Sequence, residues 1–189
     1  MTTEQRPIGF VKPDTETHVF FYEQDFYVLS NFSAFQIEWP VDGPAGYPSR
    51  AMFDTSEQLY HWLKFCDTSP TIANAIFRSR SAHDAFKLAE QHKADRRPDW
   101  DVVKVPTMKR ILRAKADQHE YVRRKLLATG DRELIEDSWR DDFWGWGPNC
   151  DGENMLGRLW MEVRNELRPA AESGPEGGVL EGWNRTTSG

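Results

Sequence analysis

Apolar and polar positions in the N-terminal part of the chain follow the short period of β-strands. Residues 18–32 are aromatic and β-branched, with a polar interruption at 23–25, and this pattern predicts two short strands or a hairpin. Residues 35–40 alternate and predict a third strand, and residues 51–53 predict another short strand. Residues 41–50 are rich in Pro and Gly and predict a loop.

From Thr55 onward the apolar positions follow the period of a helix. Thr55 and Gln58 have the spacing of a capping box, which marks a helix N-terminus. An apolar stripe then recurs at spacing i, i+3, i+4 and i+7, and it consists of Leu59, Trp62, Leu63 and Cys66. A helix over residues 55–66 is therefore predicted.

The same period predicts further helices over residues 69–80, 82–94, 107–130 and 155–168. Residues 95–106 are predicted to be a connector, and the long helix after it is expected to break near Gln118 and to stop at Gly130. Asn154 is the expected N-cap of the last helix, and residues 132–138 form either a strand or a turn.

The predicted fold class is α+β, a predominantly helical single domain with a small N-terminal β-sheet. The domain is expected to span residues 18–168, because residues 1–17 are a polar lead-in and residues 169–189 are a Gly/Ser/Pro-rich tail without periodicity. A length of 189 residues suits one domain with one sizeable core.

Charge and cysteine content narrow the classes of function. A formal net charge of -6 argues against broad binding of duplex nucleic acid through a basic surface. No apolar run approaches the length of a membrane span, no secretory signal is recognisable, and Cys66 and Cys150 do not make a disulfide framework. We therefore expect a cytoplasmic protein that does not bind to membranes and has no structural metal. The basic runs at 78–80, 93–97 and 109–115 are predicted to form solvated helix faces.

The first helix carries an unusual polar face opposite its apolar stripe. On a helical wheel this face consists of Glu57, Tyr60, His61 and Lys64. It is either an ordinary solvated surface or a pocket wall, in which an acid and an amine two turns apart converge on a ligand. Glu57 lies in the first turn, where unpaired N–H groups and the helix dipole favour an ionised carboxylate.

The segment from Asp141 to Trp160, "DDFWGWGPNCDGENMLGRLW", combines acids, tryptophans and glycines before a predicted helix. One interpretation is a packed turn, with tryptophans in the core and glycines at bends. The other is a binding site, in which Trp144 or Trp146 stacks on a flat ring and the helix N-terminus at Asn154 holds a phosphate. The segment lacks the spacing of a phosphate loop or a dinucleotide fingerprint.

Five sequence blocks, taken in order, resemble the motifs of the NADAR family, which is also called YbiA-like. The blocks are "FYVLSNFSAF" (26–35), "TSEQLYHWLKF" (55–65), "PDWDVVKVPTM" (98–108), "LLATGDRELIE" (126–136) and "DDFWGWGPNCDGENMLGRLWMEVR" (141–164). The resemblance extends over about residues 18–168, nearly the whole predicted domain.

Particular positions match the family pattern, and one departure from it is Gln58, where relatives often have His. The matched positions are Glu57 and Lys64, seven residues apart; Ser30, Asn31 and Phe32; Asp141, Trp144 and Gly145; Gly152 and Asn154; and Trp100 before Lys104.

The resemblance implies an N-glycosidase that needs no cofactor. One activity in the family releases ribose 5-phosphate from ribosylamino-pyrimidine phosphates of the riboflavin pathway. Another removes ADP-ribose from guanine bases, in some cases with a toxin ADP-ribosyltransferase as functional partner. A binding module that holds NAD or ADP-ribose without cleaving it is an alternative of another class. The oligomeric state is left open.

The resemblance also suggests roles for individual residues. Either Glu57 or Asp141 stabilises the cationic sugar carbon or activates water. Lys64 either forms a Schiff base with the opened sugar or binds phosphate. The remaining candidates are expected to contact the substrate: Trp144 or Trp100 by stacking, Asn31 and Asn154 by hydrogen bonds, Arg80 and Lys104 through phosphate, and Ser30, Phe32 and Gly145 as further residues of the matched motifs. This reading requires that Asp141 and Trp144 face Glu57 and Lys64 across one cleft.

Overall fold

The computed structural model describes residues 12–22, 26–42 and 48–169. In these ranges the strands are β1 (His18–Phe21), β2 (Ile37–Asp42), β3 (Pro48–Phe53) and β4 (Glu133–Glu136). The helices are α1 (Ser56–Trp62), α2 (Pro70–Phe77), α3 (Ala82–Gln91), α4 (Trp100–Gln118), α5 (Glu120–Ala128) and α6 (Met155–Leu167). The α+β, helix-rich class is therefore confirmed. Most of the predicted lead-in and tail, residues 1–11 and 170–189, lies outside the described residues.

The first strand of the domain pairs in parallel with the last one. β1 pairs with β4 in a register that joins His18 to Glu133 and Phe21 to Glu136. Parallel strands need a long crossover connection, and here the crossover contains five of the helices. The expected hairpin over residues 18–32 is wrong for its second half, where Tyr27–Leu29 form a 3-10 turn. The partner of β1 is the distant β4, so the sheet is not purely N-terminal.

A second sheet is the hairpin of β2 and β3, which pair antiparallel from Ile37 opposite Phe53. The third strand and the short strand near residue 52 are thus confirmed, although the former lies two residues further along the chain than predicted and the latter is longer. The tip of the predicted loop, residues 43–47, lies outside the described residues.

Helix α4 starts earlier than predicted. Residues 100–106 belong to it, although Pro106 lies inside the helix and cannot donate a backbone hydrogen bond. Trp100 and Met108, on either side of the proline, are both buried in the main core and hold the helix across the interruption. The predicted break near Gln118 is confirmed, because α4 ends there and α5 begins at Glu120.

The main core lies between the strands and helices α1, α4, α5 and α6. Helix α6 packs against β4 so closely that a Cβ on Gly157 would lie 2.0 Å from the carbonyl oxygen of Leu134. A second, smaller core joins α1, α2 and α3 and includes Phe65 and Ile76. Of the helices described, none is both long and apolar enough to cross a membrane.

Candidate active site

A cleft of about 330 Å³ opens where α1 approaches the carboxyl ends of β1 and β4. Parallel strands end at the same edge of a sheet, so Tyr22 after β1 and Glu136 at the end of β4 both reach the cleft. Its lining consists of Tyr22, Asn31, Phe32, Glu57, Tyr60, His61, Lys64, His83, Phe86, Glu90, Met108, Glu136, Ser138, Arg140, Asp141 and Trp144. Asp141 and Trp144 thus share one cleft with Glu57 and Lys64, as the sequence reading required.

Helix α1 forms one wall of this cleft. Its N-cap is Thr55, whose side-chain oxygen accepts the backbone N–H of Gln58 at 3.1 Å. Glu57, Tyr60 and His61 all line the cleft from the helix. The regular helix ends at Trp62, so Lys64 lines the cleft from the turn that follows. The polar face is a pocket wall and not a solvated surface.

Glu57 and His61 form a buried pair one helical turn apart. The Nε2 atom of His61 lies 2.7 Å from Oε1 of Glu57, and the two side chains are 3% and 11% exposed. The backbone N–H of Glu57 also donates to the carbonyl oxygen of Asn31 at 3.0 Å. The carboxylate is therefore fixed by its own backbone and by a neighbouring ring.

Lys64 is a buried amine between two aromatic rings. Its Nζ atom lies 4.9 Å from the ring centre of Tyr60 and 5.7 Å from that of Trp100. Burial lowers the pKa of Lys64 from 10.5 to about 8, and the nearby charge of Glu57 opposes this shift. At neutral pH the amine is still mostly charged, but the uncharged form that a nucleophile requires is far more populated than in an exposed lysine.

The loop of Ser30, Asn31 and Phe32 borders the cleft next to the N-terminus of α1. Lys115, fully buried, donates to the carbonyl oxygen of Ser30 at 2.9 Å and to Oγ of Ser33 at 2.7 Å. This anchors the loop from behind, while Asn31 and Phe32 line the cleft. Burial lowers the pKa of Lys115 to about 7.

Asp141 organises the turn that carries Trp144. Its Oδ1 atom accepts the backbone N–H groups of Phe143 at 2.9 Å and of Trp144 at 2.8 Å. The Trp144 ring meets the Tyr60 ring edge-on, with 5.6 Å between ring centres. Asp141 is thus an anchor of the turn and a carboxylate on the cleft at once.

Glu136 is a cleft residue that the sequence reading missed. Burial, together with the nearby charges of Asp141 and Glu57, raises its pKa to about 8. Its segment was read only as a strand or a turn. Its position at the end of a buried strand was the available signal, but the strand's partner was not recognisable from sequence.

The aromatic and rim residues of the cleft were also missed. Tyr22, Phe86 and Met108 supply apolar lining, and His83 and Arg140 are polar residues at its exposed rim. They come from α3, α4 and two connecting segments, and no local motif links them.

Several predicted site residues lie off the cleft. Arg80 is exposed, and Lys104 lies over the Phe143 ring at 3.9 Å and near Asp101. Trp100 is 2% exposed and packs against Tyr60 from behind. Ser30, Gly145 and Asn154 are not among the lining residues. Ser30 and Gly145 accept hydrogen bonds with their backbone carbonyls, and Asn154 binds the backbone of β4 with its side chain.

Asn154 holds β4 with its side chain. Oδ1 accepts the backbone N–H of Glu136 at 2.9 Å, and Nδ2 donates to the carbonyl oxygen of Leu134 at 2.8 Å. Asn154 occupies the N-cap position of α6 with φ of 50°, but its side chain makes no capping hydrogen bond. The amide is thus engaged by the strand and does not point to a phosphate.

Metal ligands do not gather in the part of the chain that the structure describes, where no group of three or more His, Cys, Asp or Glu side chains is placed to hold an ion. The chemistry available in the cleft is that of carboxyl groups, an imidazole, an amine and aromatic rings.

Comparison with known proteins gives a consistent result. Residues 20–168 match the family described as the NADAR domain. N-glycosidase YbiA of Escherichia coli (strain K12) is 33% identical over 167 residues, which cover 88% of this chain and 98% of that protein. A riboflavin biosynthesis protein of Vibrio vulnificus (strain YJ016) is 37% identical over 167 residues, but the match covers only 40% of that longer protein.

The fold is similar to a solved structure as well. The NMR structure of E. coli YbiA matches with a TM-score of 0.65 at 33% identity, covering 88% of this chain and 93% of that chain. The residues matched by the family include every residue that lines the cleft.

Proposed function

The chain belongs to the NADAR domain family, and from this premise we propose that it is an N-glycosidase that hydrolyses the bond between a ribose phosphate and the nitrogen of a base or amine. The names of its relatives, an N-glycosidase and a riboflavin biosynthesis protein, support this class of reaction. The substrate we favour is a ribosylamino-pyrimidine phosphate.

The observation that carries the proposal is a set of buried polar atoms without protein partners around one cleft. Among the described residues these include Oδ1 of Asn31, Nδ1 of His61 and Oε2 of Glu136. All three residues line the cleft. Buried polar groups are normally hydrogen-bonded, so three unpaired atoms around one cavity indicate a polar ligand that completes them.

The charge of the cleft suits bond cleavage better than passive binding of an anion. Four carboxyl groups, of Glu57, Glu90, Glu136 and Asp141, line it, against the buried amine of Lys64 and the guanidinium of Arg140 at the rim. An ionised carboxylate stabilises the positive charge that builds on the sugar carbon as the C–N bond breaks. A module that only held a phosphate or a dinucleotide would have little use for this acidic lining.

Glu57 is the carboxylate we assign to the sugar carbon or to the attacking water. The His61 ring and the Asn31 carbonyl fix its position on the cleft wall. Asp141 is the second candidate for that role. Asn31 and Trp144 would contact the ribose hydroxyls and the base.

Lys64 has two roles open to it. As an uncharged amine it would attack the sugar carbon and form a Schiff base with the opened ribose. As a cation it would bind the phosphate. Its lowered pKa favours the covalent role.

The size of the cleft favours a compact substrate. Small-molecule sites commonly enclose about 300 to 1,000 Å³, and the value of about 330 Å³ lies at the lower end of that range. A single ribose phosphate with one ring fits this space better than ADP-ribose. Removal of ADP-ribose from guanine, with a toxin ADP-ribosyltransferase as functional partner, is the second substrate class we propose to test.

The experiment incubates the protein with a ribosylamino-pyrimidine phosphate and, in parallel, with DNA carrying ADP-ribosylated guanine. Mass spectrometry then detects free ribose 5-phosphate or free ADP-ribose. We expect release from the first substrate. Release only from the second would show that ADP-ribosylated guanine is the substrate. Release from neither would favour a binding module over an enzyme.

A further inference from the structure

Glu136 stands at the carboxyl end of β4, where the strand opens into the cleft. Its side chain lines the cleft, while its neighbours on the strand, Leu134 and Ile135, are buried in the interior. The Oε2 atom is inaccessible to solvent and has no hydrogen-bond partner among the described residues. A carboxyl oxygen in this position calls for a hydrogen-bond partner that enters through the cleft, either a ligand or a bound water.

Three contacts fix the backbone of Glu136. Its N–H donates to Oδ1 of Asn154, and its carbonyl oxygen accepts the N–H of Trp146 at 2.9 Å. Gly145 packs over the same carbonyl so closely that a Cβ there would lie 3.1 Å from it. The glycine-tryptophan segment and the asparagine of the family motif therefore serve to position one glutamate.

The surroundings of Glu136 disfavour its charge. Within the described ranges no Lys, Arg or His forms an ion pair with Glu136. The basic residues on the neighbouring elements have other partners: His18 on β1 pairs with Glu133, and Arg164 on α6 donates to the Arg132 carbonyl. The titratable side chains that share the cleft with it are Tyr22, Glu57, Tyr60, His61, Lys64, His83, Glu90, Arg140 and Asp141. Burial and the two nearest carboxylates raise the pKa of Glu136 to about 8, so at neutral pH it carries a proton.

We propose that Glu136 is the general acid of the reaction and protonates the nitrogen that leaves the sugar. This assignment rests on the proposed N-glycosidase function. Two carboxyl groups that face one site from different environments are the arrangement that glycoside-cleaving enzymes use for acid and base.

The step balances as follows. The O–H bond of Glu136 breaks as the leaving nitrogen gains the proton, and the C–N bond breaks with its electron pair going to nitrogen. Water adds to the sugar carbon, either directly or after that carbon has been held by Lys64 as a Schiff base that the water then cleaves, and gives its proton to the Glu57 carboxylate. Exchange of protons with solvent restores a protonated Glu136 and an ionised Glu57.

The first test compares Glu136→Gln with Glu133→Gln on the same strand. Glutamine keeps the shape of the side chain but cannot supply a proton. We expect kcat to fall about 10²- to 10⁴-fold in Glu136→Gln, with KM within about threefold of the wild type, and Glu133→Gln to be unaffected. Turnover of Glu136→Gln within a few-fold of the wild type would overturn the assignment.

A pH profile separates an acid from a merely structural residue. At saturating substrate, wild-type kcat should decline above about pH 8 as Glu136 loses its proton, and the residual kcat of Glu136→Gln should lack this decline. The same decline in both proteins would overturn the proposal.

Difference infrared spectroscopy provides a readout that does not depend on activity. The wild type at pH 7 should show the carbonyl band of a protonated carboxylic acid, which is lost in Glu136→Gln and kept in Glu133→Gln. Absence of this band would overturn the proposal even if the protein proves to be an N-glycosidase. Conversely, the wild type could show the band and yet have no turnover. This result would contradict the proposed N-glycosidase function and would also reject Glu136 as an acid, since it would then be only a protonated residue that contacts a ligand.

Discussion

The Nε2 atom of His61 lies 2.7 Å from Oε1 of Glu57, one helical turn away, and both side chains are buried on the wall of the cleft. Nε2 faces the Glu57 carboxyl group, and Nδ1 has no hydrogen-bond partner in the part of the chain that the structure describes. His61 thus holds the carboxylate with one nitrogen and offers the other to a ligand.

Replacing His61 by Phe should remove the hydrogen bond that holds Glu57. We expect the free energy of unfolding to fall by about 1–3 kcal/mol, because the buried carboxylate loses its partner, and kcat to fall as well. His61→Gln, whose amide N–H can still donate to Glu57, should recover part of both quantities. Chemical denaturation and steady-state kinetics test this, and equal behaviour of the Phe and Gln variants would argue against it.

Two substitutions of Asp141 should distinguish its charge in the cleft from its hydrogen bonds in the turn. Asp141→Asn keeps an oxygen that accepts the N–H groups of Phe143 and Trp144, so the fold should persist while turnover falls with the lost charge. Asp141→Ala leaves both N–H groups without an acceptor and should also lower the free energy of unfolding by about 1–3 kcal/mol. The matched control is Asp142→Asn, because the neighbouring Asp142 is exposed and is not one of the residues that line the cleft. A fully active Asp141→Asn variant would show that Asp141 only supports the turn and has no role in turnover.

Lys64 should form a covalent adduct whose yield depends on pH. Because burial lowers its pKa to about 8, the uncharged fraction of the amine should rise roughly tenfold per pH unit below that value. Borohydride trapping of a sugar adduct, followed by mass spectrometry, should increase accordingly in the wild type and in Lys87→Met, an exposed lysine of α3. Lys64→Met should give no adduct. Absence of a trapped adduct in the wild type would argue against the Schiff base and in favour of Lys64 as a phosphate ligand.

Asn154 should prove to be a structural residue with an indirect effect on the site. Asn154→Ala loses both hydrogen bonds to β4 and places alanine at a positive φ of 50°, so we expect a loss of about 2–4 kcal/mol in the free energy of unfolding. Asn154→Gly loses the same hydrogen bonds but tolerates that φ, and it should be about 1 kcal/mol more stable than the alanine variant. Thermal and chemical unfolding measure the difference. Wild-type stability in both variants would contradict the role in holding β4.

Local sequence patterns were sufficient for the parts of the fold that local interactions decide. The Thr55 cap, the polar face of α1 and the break after Gln118 each rest on residues a few positions apart. The pairing of β1 with β4 was not predictable, because more than a hundred residues separate the strands and nothing in either one identifies its partner. Pro106 misled the reading of α4, because burial on both sides of it outweighs one missing hydrogen bond.

The site divides in the same way. Glu57, Lys64, Asp141 and Trp144 lie in recognisable motifs, and the structure places them on one cleft. Glu136 was missed because its environment depends on the β1–β4 pair. Lys115 was missed for a related reason: the basic run at 109–115 was expected to be solvated, yet its last lysine is fully buried beneath the Ser30 loop.

The most direct test of the account measures release of ribose 5-phosphate by Glu57→Gln and by Glu120→Gln. Both glutamates lie in the first turn of a helix, but Glu57 is buried on the cleft and Glu120 is exposed on α5. We predict that Glu57→Gln loses about 10²- to 10⁴-fold in kcat while remaining folded, and that Glu120→Gln keeps wild-type turnover. Equal turnover of the two variants would contradict the claim that this cleft is where the N-glycosidic bond is broken.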